Sequence, residues 1–126
     1  MQGKICEKLG EKVTAGAIFD KHGDIWATTP GFYPNPSEFL QFSKSFDFSP
    51  DQMNFGIIFC DQHFMIKQHS TNEIIAENSN GVIVLYDCEF CEIFGYNDIS
   101  VANDDCVRAV EEIAHIIENT PEDDFY

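Results

Sequence analysis

The sequence predicts one α+β domain that spans residues 1–126 and is built on a single antiparallel sheet. Short apolar segments separated by turn residues follow one another through the middle of the chain, which is typical of an antiparallel meander. Apolar residues at helical spacing close the chain. No internal repeat, low-complexity linker or abrupt change of composition marks a second domain.

The chain is predicted to begin with a short helix and a β-hairpin. Two apolar residues four positions apart place the helix over about Gly3 to Leu9. The hairpin strands are predicted over Val13–Asp20 and Asp24–Thr28, and a turn over Lys21-His22-Gly23 joins them.

A second helix is predicted to start at Asn35-Pro36-Ser37-Glu38. This segment offers a capping side chain, a proline at the first helical position and an acid at the third. Phe39, Phe42 and Phe46 follow at spacings of three and four. We therefore expect this helix to bury a stripe of phenylalanines.

A meander of four strands comes next. The strands are predicted over Gly56–Cys60, Phe64–Gln68, Glu73–Glu77 and Val82–Tyr86. A turn at Asp61-Gln62 separates the first two, and the continuous apolar run of the fourth is typical of a central strand buried on both faces. The stretch from Asp87 to Asp98 is interpreted as irregular.

The last helix is predicted behind Asn103-Asp104-Asp105, where a capping residue precedes acids that favour a helix N-terminus. Pro121 prevents its continuation. The apolar positions at helical spacing are Val107, Val110, Ile113, Ala114 and Ile117.

The composition limits the classes of partner. Seven Lys and Arg residues against 22 Asp and Glu give a net charge of −15, which repels phosphate backbones and anionic lipid headgroups. We therefore expect no nucleic acid and no phosphoinositide membrane as partner.

Hydrophobic residues make up 44% of the chain and 12 residues are Phe, so we expect a filled core and no cofactor. No stretch has the length of a signal peptide or a membrane span, which predicts a cytoplasmic protein.

Five cysteines, an odd number, predict reduced thiols. Cys6, Cys60 and Cys106 lie among apolar residues and are predicted to be small buried hydrophobes. Cys88-Glu89-Phe90-Cys91 has the spacing of redox and zinc motifs, but its acidic neighbours disfavour a thiolate and no second pair of ligands accompanies it. We interpret this motif as two loop thiols without metal.

No residue pattern predicts an enzyme. The four histidines lack the nucleophile and carboxylate companions of a catalytic triad, and the chain has no Gly-rich phosphate loop. Trp26, the only tryptophan, lies on a short strand after a turn, and its residue type alone predicts core packing. We therefore expect a protein that acts by binding a partner.

Several segments, taken in order, resemble the profilins. The resemblance covers most of the chain, and its most specific part is the hairpin with Trp26. It implies N- and C-terminal helices on one face of the sheet, smaller helices on the other, and an actin-monomer-binding protein of the cytoskeleton that regulates actin polymerisation. The matching segments are Val13–Ile18, Gly23–Ala27, Gly56–Phe59, Phe64–Ile66, Val82–Asp87 and the last helix with Cys106.

The resemblance also implies two binding surfaces. Carried over by position, the actin-binding residues are Lys67, His69, Asn103, Asp104, Val107, Arg108 and Glu111. Profilins bind proline-rich peptides in an aromatic groove, for which the corresponding residues here are Trp26, His115, Ile116 and Tyr126. Residues 1–9 contain no aromatic side chain, so we expect a degenerate groove and weak binding of such peptides.

One departure from the family pattern lies before the last helix, where Cys88–Asp98 resembles an insertion. Phe90, Phe94 and Tyr96 in this segment are expected to cap the core or to add partner contacts.

Three other readings stay open at this point, because a fold does not fix a function. A PAS-like sensor needs an internal ligand cavity. A roadblock-like or longin-like module is the second, and roadblock-type modules pair through a sheet edge. A thiol or metal protein would use Cys88 and Cys91.

Overall fold

The computed structural model of the chain describes residues 13–29, 32, 35–88, 91–98 and 103–118, and for residues 103–105 and 118 the backbone alone. The predicted helix over Gly3 to Leu9 lies outside these residues. The described residues form one antiparallel sheet of seven strands in the order β2-β1-β7-β6-β5-β4-β3. The strands are β1 Ala15–Phe19, β2 Ile25–Thr28, β3 Ile57–Phe59, β4 Gln62–His69, β5 Glu73–Asn78, β6 Gly81–Asp87 and β7 Glu92–Asp98, and the helices are α1 Pro36–Lys44, α2 Pro50–Phe55 and α3 Asn103–Glu118. None of these helices is both long enough and apolar enough to cross a membrane.

Helix α1 forms as its sequence predicts. The Asn35 side chain accepts a hydrogen bond from the backbone N–H of Ser37, and Pro36 occupies the first turn. Phe39 and Phe42 are buried, while Phe46 is half-buried in a single 3₁₀ turn over Ser45–Asp47 that follows the helix. The predicted phenylalanine stripe is therefore confirmed.

Helix α2 and the turn before β4 differ from the predictions. Ser49 and Gln52 cap α2 reciprocally through a capping box, a signal that the sequence contains but that the prediction missed. The predicted turn at Asp61-Gln62 is one residue too late. Cys60 and Asp61 make the turn with φ of 49° and 64°, and β4 begins at Gln62.

The interpretation of Cys88–Asp98 as an irregular insertion is wrong. Residues Glu92–Asp98 form β7, which pairs with β1 on one side and β6 on the other. Phe94 is fully buried in the core and Tyr96 is half-buried against it, so both are strand residues and not loop residues. Phe90 lies outside the described residues.

The sheet separates two apolar cores. On one side, α1 packs its phenylalanines against the sheet around Phe94, whose ring centroid is 4.7 Å from that of Phe59 and 5.4 Å from that of Phe39. On the other side, α3 covers β6 and β7 with Cys106, Ala109, Val110, Ile113, Ala114 and Ile117. We call these the α1 side and the α3 side. Helices on both sides of one sheet match the predicted fold class.

Gly95 lets α3 approach β7 closely. A Cβ atom added to Gly95 would lie 2.5 Å from Val110 Cγ2 and 3.2 Å from Cys106 Sγ. An added Cβ atom would overlap these neighbours, and a packed core could accommodate it only if the helix moved. The glycine therefore lets α3 pack closely on β7 at Cys106 and Val110.

Candidate protein-binding face

Helix α3 leaves part of its side of the sheet uncovered. Side chains of β3, β4 and β5 that point to the α3 side lie beyond the helix and reach solvent. We call this surface the open face; it includes Ile58, His63, Met65, Lys67 and Glu77 on the strands, and Phe55 at the end of α2, whose ring lies against His63.

Three large apolar side chains form the centre of the open face. Phe55 is 65% exposed, Ile58 54% and Met65 42%. His63 joins them, because it pairs with Ile58 across the strands and its ring centroid lies 5.3 Å from that of Phe55. The sequence analysis missed this patch, although the exposed residues of β4 alternate with the buried Phe64.

A bulge in β4 decides which side chains reach the open face. The β4–β5 register passes from Ile66↔Ala76 to Gln68↔Ile75, which leaves Lys67 as the extra residue. Lys67 then points to the α3 side, where its Nζ lies 3.5 Å from Glu77 Oε1. His69 instead pairs with Ile74 on the α1 side, where its Nε2 lies 2.8 Å from the carbonyl oxygen of Ser45. The bulge thus places the two predicted actin contacts of β4, Lys67 and His69, on opposite sides of the sheet.

The beginning of α3 borders the open face. Val107 is half-buried against the α3-side core, while Arg108 and Glu111 are exposed. The backbones of Asn103 and Asp104 are helical, and their side chains lie outside the described residues. Of the predicted actin contacts, the described side chains on the α3 side are therefore Lys67, Val107, Arg108 and Glu111.

A buried carboxyl group connects β5 to α3. Glu73 is 7% exposed, and its Oε1 accepts a hydrogen bond of 3.2 Å from Gln68 Nε2. Its Oε2 is buried without a donor, and the Glu111 carboxyl group interacts with the Glu73 carboxyl group. Burial, and secondly the charge and hydrogen bond of Glu111, raise the pKa of Glu73 to about 7.

A second bulge places Trp26 on the α3 side. The β1–β2 register passes from Ile18↔Ala27 to Phe19↔Ile25, so Trp26 is the extra residue. Its side chain packs half-buried against the α3-side core, as does Ile116. His115 is exposed on α3, and Tyr126 lies outside the described residues. The structure thus brings Trp26 and Ile116 to one core.

The cysteines offer no reactive or metal-binding site among the described residues. Cys88 and Cys91 are both buried in the α3-side core, and the backbone N–H of Cys88 donates a 2.9 Å bond to the carbonyl of Cys91. The described residues contain no cluster of metal-binding side chains. Burial raises the pKa of Cys106 to about 12, as expected of a buried thiol. The prediction that Cys60 is buried is wrong, because the positive-φ turn exposes it.

The α1 side contains an apolar cleft of about 240 Å³ beside Phe59, Phe64 and Phe94. The cleft is partly open to the surface. It is therefore not the enclosed ligand cavity that a PAS-like sensor needs.

Comparison with known proteins gives one consistent result. The profilin family profile matches residues 4–121. Acanthamoeba castellanii profilin IA superposes with a TM-score of 0.81 at 16% identity, covering 94% of this chain and 97% of that one. LokiProfilin2, solved in complex with rabbit actin, gives 0.73 at 18% identity over 94% and 96%. Mouse profilin IIa, in complex with a double repeat from the FH1 domain of mDia1, gives 0.67 at 12% identity over 92% and 95%.

Proposed function

Because the chain belongs to the profilin family, we propose that it binds actin monomers through its open face and the adjoining start of α3, and so regulates actin polymerisation. The complex of LokiProfilin2 with rabbit actin supports the proposal, since that protein shares the fold. The proposed activity is binding without a catalytic step, in the cytoplasm and at the actin cytoskeleton, by the single domain of residues 1–126.

The observation that carries the proposal is the exposure of Phe55, Ile58 and Met65 on one continuous surface. Large apolar side chains grouped at the surface of a monomeric protein mark interaction sites. Charged groups lie on the same side of the sheet, with Lys67 and Glu77 on the strands and Arg108 and Glu111 on the helix. An apolar centre within a polar rim is the usual anatomy of a protein interface.

The residues that the resemblance implies as actin contacts have different proposed roles. Lys67, Val107, Arg108 and Glu111 border the apolar patch on the α3 side and are proposed as contacts. His69 lies on the α1 side, so we propose that it supports the 3₁₀ turn after α1 and does not contact actin.

Spontaneous assembly of actin tests this function. Adding the protein to rabbit actin monomers should slow nucleation in proportion to the fraction of actin bound. The variant Ile58→Asp places a charge in the apolar patch and should lose most of the effect. Unchanged assembly at protein concentrations on the order of tens of micromolar would count against the proposal.

We also propose a weak second activity, the binding of proline-rich peptides near Trp26. Its position on the α3 side, half-buried and on the same core as Ile116, favours this activity. A polyproline helix loses little entropy on docking and fits flat aromatic rings. Mouse profilin IIa supports the proposal through its complex with an FH1 repeat.

The fluorescence of Trp26 measures peptide binding directly, because it is the only tryptophan in the chain. We expect a change that develops only at peptide concentrations on the order of millimolar, since the first nine residues supply no aromatic anchor. A control peptide with prolines replaced by alanines should produce none. The absence of any change with the proline-rich peptide would refute this second activity.

A further inference from the structure

The carboxyl groups of Glu73 and Glu111 meet at the border between the open face and α3. Glu73 comes from β5 and is buried, whereas Glu111 comes from the exposed side of α3. Gln68 donates to one oxygen of Glu73, and the other oxygen, Oε2, is buried without any donor. A buried carboxylate oxygen next to a second carboxylate is unfavourable unless a proton or a cation lies between them.

No described cation neutralises this pair. The titratable and charged groups on the same side include His63 and Lys67 on β4, Glu77 on β5, Tyr86 on β6, and Arg108, Glu112 and His115 on α3. Lys67 forms its ion pair with Glu77. Among the described residues, no lysine or arginine forms an ion pair with Glu73 or Glu111. Within the described part of the chain, the site is therefore short of one positive charge.

We propose that Glu73 and Glu111 share one proton in the free protein, and that a cationic side chain of the bound partner takes its place and releases this proton to solvent. The inference rests on the proposed function, since it takes the partner to be the actin monomer. Binding is then coupled to pH at the border of the open face, and a lysine or arginine of the partner is the group that fits.

The expected coupling follows from the titration of Glu73. Burial and the neighbouring Glu111 raise the pKa of Glu73 to about 7, so the shared proton is half-occupied near neutral pH. If only the deprotonated pair accepts the cation, affinity rises about tenfold between pH 6 and pH 8. Binding at pH 7 releases about half a proton.

Calorimetry of binding to rabbit actin monomers, in two buffers of different ionisation enthalpy at pH 7, measures the released proton. Glu73→Gln removes the titrating group and keeps the shape of the side chain, so it should release about half a proton less than the wild type. Glu112→Gln removes the same charge from the next exposed position of α3 and should release as much as the wild type. Equal proton release by the wild type and Glu73→Gln would overturn the inference.

Carbon NMR of the Glu73 carboxyl group in the free protein tests the shared proton without any partner. A midpoint near pH 7 supports the inference, and a midpoint at the ordinary value for glutamate, 4.5, overturns it even if actin binds. If NMR shows the raised midpoint but actin does not bind at any pH, the proposed function fails and the displacement of the proton fails with it. The two failures are thus distinguishable.

Discussion

Lys67 and His69 lie two positions apart on β4 but point to opposite sides of the sheet, because the ladder shifts by one residue between Ile66 and Gln68. The account therefore predicts different effects for the two residues. Lys67→Glu should weaken binding to actin monomers, since it reverses a charge on the open face and repels Glu77. Titration of labelled actin monomers gives the affinity.

His69→Ala should leave the affinity for actin unchanged and lower stability. The substitution removes the hydrogen bond to the Ser45 carbonyl, which costs about 1 kcal/mol. Urea unfolding measures this loss. A larger effect of His69→Ala than of Lys67→Glu on actin affinity would contradict the geometry of the bulge.

The apolar patch yields a second prediction. Met65→Asp should reduce actin affinity by about tenfold or more, because desolvated apolar anchors supply most of the binding energy of an interface. Its effect on folding should be small, since Met65 is 42% exposed. Gln41→Asp adds the same charge at an exposed position of α1 and serves as the control. Equal affinities of the two variants would remove the patch from the interface.

The contact between Gly95 and α3 predicts a change in stability. Gly95→Ala should destabilise the protein by about 1–3 kcal/mol, because the new Cβ would overlap Val110 and α3 would have to move. Thermal unfolding followed by circular dichroism measures the shift. A variant as stable as the wild type would mean that α3 does not pack so closely against β7.

The raised pKa of Glu73 predicts that stability depends on pH. The folded protein keeps a proton on this group up to about pH 7, whereas the unfolded chain loses it near 4.5, so the folded state binds more protons in between. Its contribution to stability is fully present below about pH 4.5 and is lost as pH rises through about 7. The total difference is about 3 kcal/mol.

Urea unfolding between pH 4.5 and pH 8 separates this contribution from that of the other carboxylates. The free energy of unfolding of the wild type should fall more steeply with rising pH than that of Glu73→Gln, in which the group does not titrate. Parallel pH profiles for the two proteins would contradict the buried position of the Glu73 carboxyl group.

Local signals in the sequence were sufficient to predict α1, α3 and β6. The cap and proline at Asn35-Pro36 start α1, and the apolar spacing along α3 places its buried stripe. The continuous apolar run of β6 correctly indicated a strand buried on both faces. In each case the residues that indicate the element lie within it or directly before it in the sequence.

Strand β7 could not be predicted because its stability comes from distant residues. Glu92, Gly95 and Asn97 are typical of loops. In the structure, Ser43 donates to the carboxylate of Glu92, and the Asn97 side chain accepts a 2.8 Å bond from the backbone N–H of Thr14. Gly95 makes room for α3. Each apparent loop signal is therefore a requirement of tertiary packing.

The open face was predicted only in part, for a related reason. Which side chain of a strand reaches which side depends on the register, and a bulge of one residue reverses it. The bulges at Trp26 and Lys67 appear only in the pairing with neighbouring strands. The sequence therefore indicated the correct strand for Lys67 and His69 but could not tell that they lie on opposite sides.

Amide hydrogen exchange of the protein, alone and with saturating rabbit actin monomers, tests the central claim most directly. The account predicts that actin slows exchange in β4, β5 and the first turns of α3, and leaves exchange in α1 unchanged. Slowing confined to α1 and the strand surfaces on its side, or no change anywhere, would contradict the claim that the open face binds actin.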